Sequence, residues 1–292
     1  MMNNTKKRKS KLRIKKLVLC IGACLGILIL IIWGVAKSIN YLSTRPSTET
    51  GRPLYYLFIG TDEKAANEAD TVLLLSRNDK KQEAVCISIP SNTQIVSRQE
   101  GKTMLLRQTF VEGGSEETRS AIENLLHIRI DKYAVINFSD FKNYVSQVGP
   151  VSMYVEKSME HNDKNGMMDI AIHQGYQPLQ EDSALGYVRY IDTENGELGR
   201  LQRQERFMKV VLGNMQQHSA LYNWAMAHHY WNAMETDITP EDAGKLAYHM
   251  TNYPMENCKF IIFPGETQKK GNTESWVINP VEAQKVIALT MQ

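Results

Sequence analysis

The chain has 292 residues, 42% hydrophobic and 23% charged, with a formal net charge of +2, and that length holds one large domain or two small ones around an ample core. The charge is unevenly spread. Residues 1–16 carry eight Lys and Arg and no acid, and setting these and Lys37 aside leaves 25 basic residues against 32 acidic ones, a net of −7 that excludes a general nucleic-acid binder.

Leu17 to Ala36, "LVLCIGACLGILILIIWGVA", is an uncharged apolar run of the length that crosses a bilayer. With its basic flank it predicts one transmembrane helix over 17–36, the amino terminus of 1–16 in the cytoplasm and the remainder outside. The run is longer than a signal-peptide core, and Cys24 of "IGAC" lies in its middle, not at its end where a lipobox would need it, so an uncleaved anchor is expected. Residues 37–52, "KSINYLSTRPSTETGR", read as a tether, and a single domain is expected over 53–292. Beyond the membrane run only Cys86 and Cys258 remain, too few for a disulfide framework; Cys86, in "EAVCISIP", reads as a small core residue.

"LYYLFIG", "TVLLLS", "EAVCISIP" and "YAVINF" are apolar runs of strand length. "EETRSAIENLLHI" and "SDFKNYVSQVG" carry helical spacing, the second with Ser139 as cap and Gly149 as stop. Strands that are apolar throughout and interleaved with helices indicate a sheet covered on both faces, and so an α/β fold. Later come a long helix from about Leu198, a helical stretch at "LYNWAMAHHYWNAM", a helix capped by Thr239 and opened by Pro240 and Glu241, and a strand pair from "CKFIIFPG" and "SWVINP". His228 and His229 point to opposite flanks of any helix, which makes them a poor metal pair.

The long helix poses a question. At about 100° per residue, Leu201, Phe207, Met208, Val210, Val211 and Leu212 fall on one side and Gln202, Glu205, Arg206 and Lys209 on the other. Arg200, Arg203 and Gln204 lie on the apolar side. An inward guanidinium keeps its charge and needs an anion. Carboxylates of the same chain and the oxygens of a bound phosphate both satisfy that need. Separately, Asp62 follows the first strand in "GTD" and Asp70 precedes the second in "EAD". Two carboxylates on neighbouring strand ends can share Mg²⁺, although acids in such loops are more often solvated turn residues.

Taken in order, "GTD", "EADT", "SIPSNT", a Gly-Gly before a helix, "YVR", "GELGRLQRQ", "FPG" and "SWVINP" resemble the LytR-CpsA-Psr family of cell-envelope proteins over most of residues 54–292. The resemblance implies a three-layer α/β/α fold with a central mixed sheet, preceded by one transmembrane helix. It implies a phosphotransferase at the bacterial cell membrane, with its domain outside. Such an enzyme moves a glycopolymer from a polyprenyl pyrophosphate carrier to peptidoglycan or another envelope acceptor through a phosphodiester. It further implies a greasy tunnel for the polyprenyl chain, ending in arginines and Mg²⁺. Carried over by position, Asp62 and Asp70 stand as the acids of the metal end, Arg189, Arg200, Arg203 and Gln204 as the phosphate clamp, and Glu197 where the family has Asp. Asp70 is also the candidate acceptor of the proton from the attacking sugar hydroxyl.

The chain departs from the pattern at several of these places. Ser91 and Asn92 replace an Arg-Asp pair, Ile191 replaces the second arginine of Tyr-Val-Arg-x-Arg, and Glu68 occupies an arginine position. Arg107, in "LLRQTF", is the candidate substitute. Phosphoryl transfer depends on neutralising spreading negative charge, so the losses leave two functions open. One is a working transferase; the other is a membrane-anchored module that binds polyprenyl pyrophosphate or an envelope partner without turnover.

Overall fold

The computed structural model describes residues 27, 29–35, 37, 52–61, 68–96, 101, 103–163, 165–233, 235–271 and 273–291. The chain divides into two compact units, residues 1–47 and 48–292. In the first, residues 29–35 are helical and Ile29, Leu30 and Trp33 are exposed. Among the described residues no helix is long and apolar enough to cross a membrane. The expected basic tail, twelve of the twenty residues of the expected span and nearly all of the tether lie outside the described residues.

The second unit begins with β1 (Leu54–Thr61), β2 (Ala69–Asn78) and β3 (Glu83–Ile89), then a small pair, β4 (Gln94–Val96) and β5 (Thr103–Leu105). Helix α1 (Gln108–Leu126), kinked at Gly113 and Gly114, leads to β6 (Lys132–Asn137) and α2 (Phe138–Val148). Four short strands follow: β7 (Val151–Val155), β8 (Met159–Asn162), β9 (Met168–Ile172) and β10 (Gly175–Leu179), pairing β7 with β10 and β8 with β9. The rest comprises α3 (Glu181–Arg189), α4 (Gly196–Gln216), α5 (Ala220–Tyr230), β11 (Glu235–Thr236), α6 (Pro240–Asn252), β12 (Cys258–Ile262), the hairpin β13 (Gly265–Lys270) and β14 (Thr273–Ile278), and α7 (Pro280–Met291). The central sheet runs β11-β6-β1-β2-β3-β12, with β6 parallel to β1, β12 parallel to β3 and the other pairs antiparallel.

Both faces of this sheet are apolar because alternate side chains of each strand point opposite ways. Leu57, Ile59, Leu74 and Ile87 turn to one side and are sealed under Ile122 and Leu126 of α1 and Ala283 and Val286 of α7. Each such aliphatic side chain contributes about 1.5–3 kcal/mol when fully buried. Their neighbours Phe58, Leu73, Leu75 and Cys86 turn to the other side, in register as Phe58↔Leu73 and Leu75↔Cys86, below α4 and α6. The central mixed sheet with helices on both faces matches the expected fold class. Cys86 and Cys258 are free and buried, and burial pushes their thiols up to about 12 and about 11.

Two local expectations differ. Helix α2 is capped by Asn137, not Ser139: the Asn137 side chain accepts from the Asp140 amide at 2.8 Å while Asp140 accepts from the Asn137 amide at 3.3 Å, a reciprocal box that starts the helix earlier. Gly149 does close it, at φ 94°. The expected strand pair at the carboxyl end is split, since β12 joins β3 at the edge of the central sheet and β14 pairs with β13. His228 and His229 make aromatic contacts, with Trp224 and Tyr230 respectively.

Candidate functional site

Where α1 and α7 close one side of the sheet, the helices opposite arch over it and leave a cavity of about 1270 Å³. Its floor includes Phe58, Leu73, Leu75 and Phe260 from the strands, and its roof includes Phe207, Val211 and Met215 of α4 and Met250 of α6. The roof stays closed by a tight helix contact: a Cβ on Gly244 of α6 would lie 2.8 Å from Nε1 of Trp224 on α5, so only glycine permits that approach. The volume and the apolar floor and roof leave room for a long hydrocarbon group.

One part of the lining is polar. Asp70 and Thr71 open β2, Arg189 and Tyr190 end α3, and Arg200 and Gln204 lie one turn apart on α4. Gln204 donates to Thr71 Oγ1 at 3.2 Å and to the Val188 carbonyl at 3.1 Å, which ties α4 to both neighbours. Arg200, 6% exposed, donates through Nη2 to the Asp70 carbonyl at 2.8 Å, to Ser91 Oγ at 3.1 Å and to Glu197 Oε1 at 2.8 Å. Its buried Nε has no hydrogen-bond partner. The Nε atoms of Arg107 and Arg203 are buried without a hydrogen-bond partner in the same way, so what distinguishes Arg200 is its place in the cavity lining. Arg189 lies over the Phe138 ring at 4.4 Å, with Asp169 4.0 Å away.

The other expected clamp residues face protein groups. Arg203 is 2% exposed; Nη1 meets Asp192 at 3.3 Å, Nη2 donates to the Tyr190 carbonyl, and the guanidinium lies 5.2 Å from the Tyr190 ring centre. Glu197 accepts from the Ser91 amide and hydroxyl, both at 3.2 Å. Arg107 caps α1 with its backbone and pairs with Glu68 at 3.3 Å. Helix spacing therefore correctly puts Arg200 and Arg203 inward; both pair with carboxylates of the same chain, Glu197 and Asp192, and of the two Arg200 is the one that lines the cavity.

Asp192 was not singled out by sequence, although "DTEN" carries its signature, an aspartate accepting from the backbone two and three residues on. Burial works to raise its pKa, but the Asn195 amide, Lys157 and Arg203 outweigh it and hold the carboxyl down at about 2, below the ordinary 3.8. A depressed carboxylate stabilises the fold fully above its unfolded value and progressively less as pH falls through its folded value. Stability should thus drop by about 1–2 kcal/mol between roughly pH 4 and pH 2 through this group alone. Chemical denaturation of the Asp192→Asn variant across that range checks it: the variant should lack this component of the acid limb.

Asp62 lies outside the described residues. Among the described residues no three His, Cys, Asp or Glu side chains converge. Asp70 supplies one hard oxygen donor at the polar lining. That fits Mg²⁺, which takes one or two carboxylates and completes its shell with phosphate oxygens and water. It does not fit a nitrogen- or sulfur-rich transition-metal centre.

Comparison with known proteins bears on this arrangement. Residues 34–290 match the model of the LytR_cpsA_psr family. A curated relative from Bacillus subtilis (strain 168), described as polyisoprenyl-teichoic acid--peptidoglycan teichoic acid transferase TagV, is 27% identical over 172 residues. That match covers 56% of this chain and 44% of the relative, so the chain spans less than half of that protein. A transferase of the same description, TagU from Halalkalibacterium halodurans, is 29% identical over 247 residues, covering 80% of this chain and 77% of the relative. The crystal structure of B. subtilis TagV superposes with a TM-score of 0.71 at 21% identity, covering 82% of this chain and 96% of that one, which establishes likeness of fold.

Proposed function

The chain belongs to the LytR_cpsA_psr family, and from that premise we propose that it transfers a glycopolymer from a polyprenyl pyrophosphate carrier to a cell-envelope acceptor, peptidoglycan in the first instance, forming a phosphodiester. The observation that carries this reading is the pairing of a large apolar bore with a cationic lining at Arg189 and Arg200. A polyprenyl pyrophosphate has that same division, a hydrocarbon chain joined to a compact multiple anion. The names of the curated relatives, teichoic acid transferases that act on a polyisoprenyl-linked polymer, support the substrate class.

In this reading the polyprenyl chain lies along Phe58, Leu73 and Phe260. Arg189, Arg200 and Gln204 hold the pyrophosphate, Glu197 and Ser91 fix the Arg200 fork, and Arg203 holds the start of α4 through Asp192. Asp70, with Asp62, would hold Mg²⁺, which supplies charge neutralisation at the phosphates when bound. Arg107 is not among the lining residues and pairs with Glu68. The amino-terminal run anchors the chain in the bacterial membrane, with the domain outside, where both carrier and acceptor are found.

One observation favours a second reading, binding without transfer. Ser91 stands in an arginine position, and Glu197 neutralises part of the Arg200 charge at 2.8 Å. The full chain, purified in detergent, should copurify with a polyprenyl pyrophosphate detectable by mass spectrometry of its lipid extract and should consume it when a peptidoglycan oligosaccharide is added. Copurification without consumption would select the binding module; neither would remove both readings.

Ile191 lines the cavity and is 51% exposed, so a longer cation fits there without being buried. Ile191→Arg should tighten binding of a polyprenyl pyrophosphate about tenfold through one added charge-assisted contact, and the gain should shrink at high salt. Titration of a fluorescent short-chain pyrophosphate measures it. Unchanged affinity would mean that the anion does not reach this part of the lining.

A further inference from the structure

We propose that His161, oriented by Asp169, is the general base that takes the proton from the attacking acceptor hydroxyl; this rests on the transferase reading above. His161 lies on β8, lines the cavity and is 52% accessible on its side chain. Its Nδ1 is 2.5 Å from Oδ1 of Asp169 on the partner strand. An ionised carboxylate only accepts, so Nδ1 carries the proton and the lone pair is left on Nε2, the atom a base needs.

The pairing is built into the hairpin. The ladder runs His161↔Ile170 and then Asn162↔Met168, so Asp169 is the extra residue of a β-bulge. In a regular ladder, residues next to each other along a strand point to opposite faces, and Asp169 would turn away from the side chain level with Ile170. The bulge removes that constraint and re-aims the carboxylate at His161. The hairpin is also pinned beside the polar lining: a Cβ on Gly186 of α3 would stand 3.2 Å from Cγ2 of Ile170, a contact close enough that glycine eases it. Three residues along α3, Arg189 Nη1 is 4.0 Å from Asp169 Oδ2. One carboxylate thus faces both the imidazole and an arginine that holds the pyrophosphate.

The chemistry needs such a group. A sugar hydroxyl attacks the glycan-bearing phosphorus: an O–P bond forms, the bond from that phosphorus to the bridging oxygen breaks, and polyprenyl phosphate leaves with the electron pair. The hydroxyl proton passes to Nε2 of His161, and the resulting imidazolium is stabilised by Asp169. Asp70 would be a weaker proton acceptor if it holds the proposed Mg²⁺, so a separate base suits the step better. His161 is the catalytic residue here and Asp169 a positioning one.

The test uses the full chain in detergent, a short-chain polyprenyl pyrophosphate disaccharide as donor and a peptidoglycan oligosaccharide as acceptor, with donor affinity and single-turnover transfer measured separately. His161→Ala should slow transfer about 10²–10³-fold with donor affinity unchanged, and added imidazole should restore part of the rate. Asp169→Asn should slow transfer less, and Asp169→Glu should recover some of that loss. Transfer by His161→Ala within about twofold of wild type would overturn the proposal and return the base to Asp70. A parallel loss of donor affinity, or no imidazole rescue, would make His161 a binding residue and overturn it equally. If the wild-type chain itself makes no product, the transferase reading fails and this role goes with it.

Discussion

Arg203→Ala is expected to destabilise the domain by about 2–3 kcal/mol, because it removes one of the cations compensating a buried carboxylate and a donor to a buried carbonyl. Asp192, 5% exposed on its side chain, loses its 3.3 Å partner, and Lys157 at 2.9 Å is the chief cation left to it. The Tyr190 carbonyl loses its donor as well. For a domain of this size the melting temperature should fall by about 10 °C, read by calorimetry without ligand. Asp192→Asn together with Arg203→Met should recover much of the loss, since replacing both charges removes the desolvation penalty. An Arg203→Ala protein that melts with the wild type would place its guanidinium in a ligand site instead.

The second large effect is on transfer. Arg200→Ala should lower the rate by about 10³-fold or more, the scale on which one phosphate-neutralising arginine acts. The fold should lose stability as well, because Glu197 loses its 2.8 Å cation and keeps only the two Ser91 hydrogen bonds, so the melt without ligand serves as the reference for each variant. The diagnostic quantity is the stabilisation that a polyprenyl pyrophosphate confers on the melt: wild type and Arg203→Lys should gain it, and Arg200→Ala should not. If Arg200→Ala gains as much as wild type, Arg200 does not hold the pyrophosphate.

Much of this was legible in the sequence. The strand runs at "LYYLFIG", "TVLLLS" and "EAVCISIP" became the sheet centre because their apolar content at every position demands cover on both sides. Helical spacing alone turned Arg200 and Arg203 inward. What spacing does not encode is which anion each meets, since that depends on Asp192 and Glu156 arriving from other elements. The hairpin with His161 and Asp169 escaped notice for a related reason: its strands have four and five residues with largely exposed faces, and the bulge that joins the pair is a property of register. Arg107 next to Glu68 shows the same limit, as residues 39 positions apart brought together by the Ala69 amide bonding to the Arg107 carbonyl.

The two-faced sheet has an evolutionary consequence. Along β2, Leu74 points into the sealed core while Leu73 and Leu75 line the bore, so adjacent codons answer to different demands. A change of volume at Leu74 is felt by the whole fold, as overpacking or a void. A change at Leu73 alters the calibre of a channel whose far wall is not in contact with it. If the bore holds a polyprenyl chain as proposed, variation at Leu73 would adapt it to carriers of different length or branching, while Leu74 keeps the fold intact. On that reading a lineage could drift between lipid donors without passing through an unfolded intermediate.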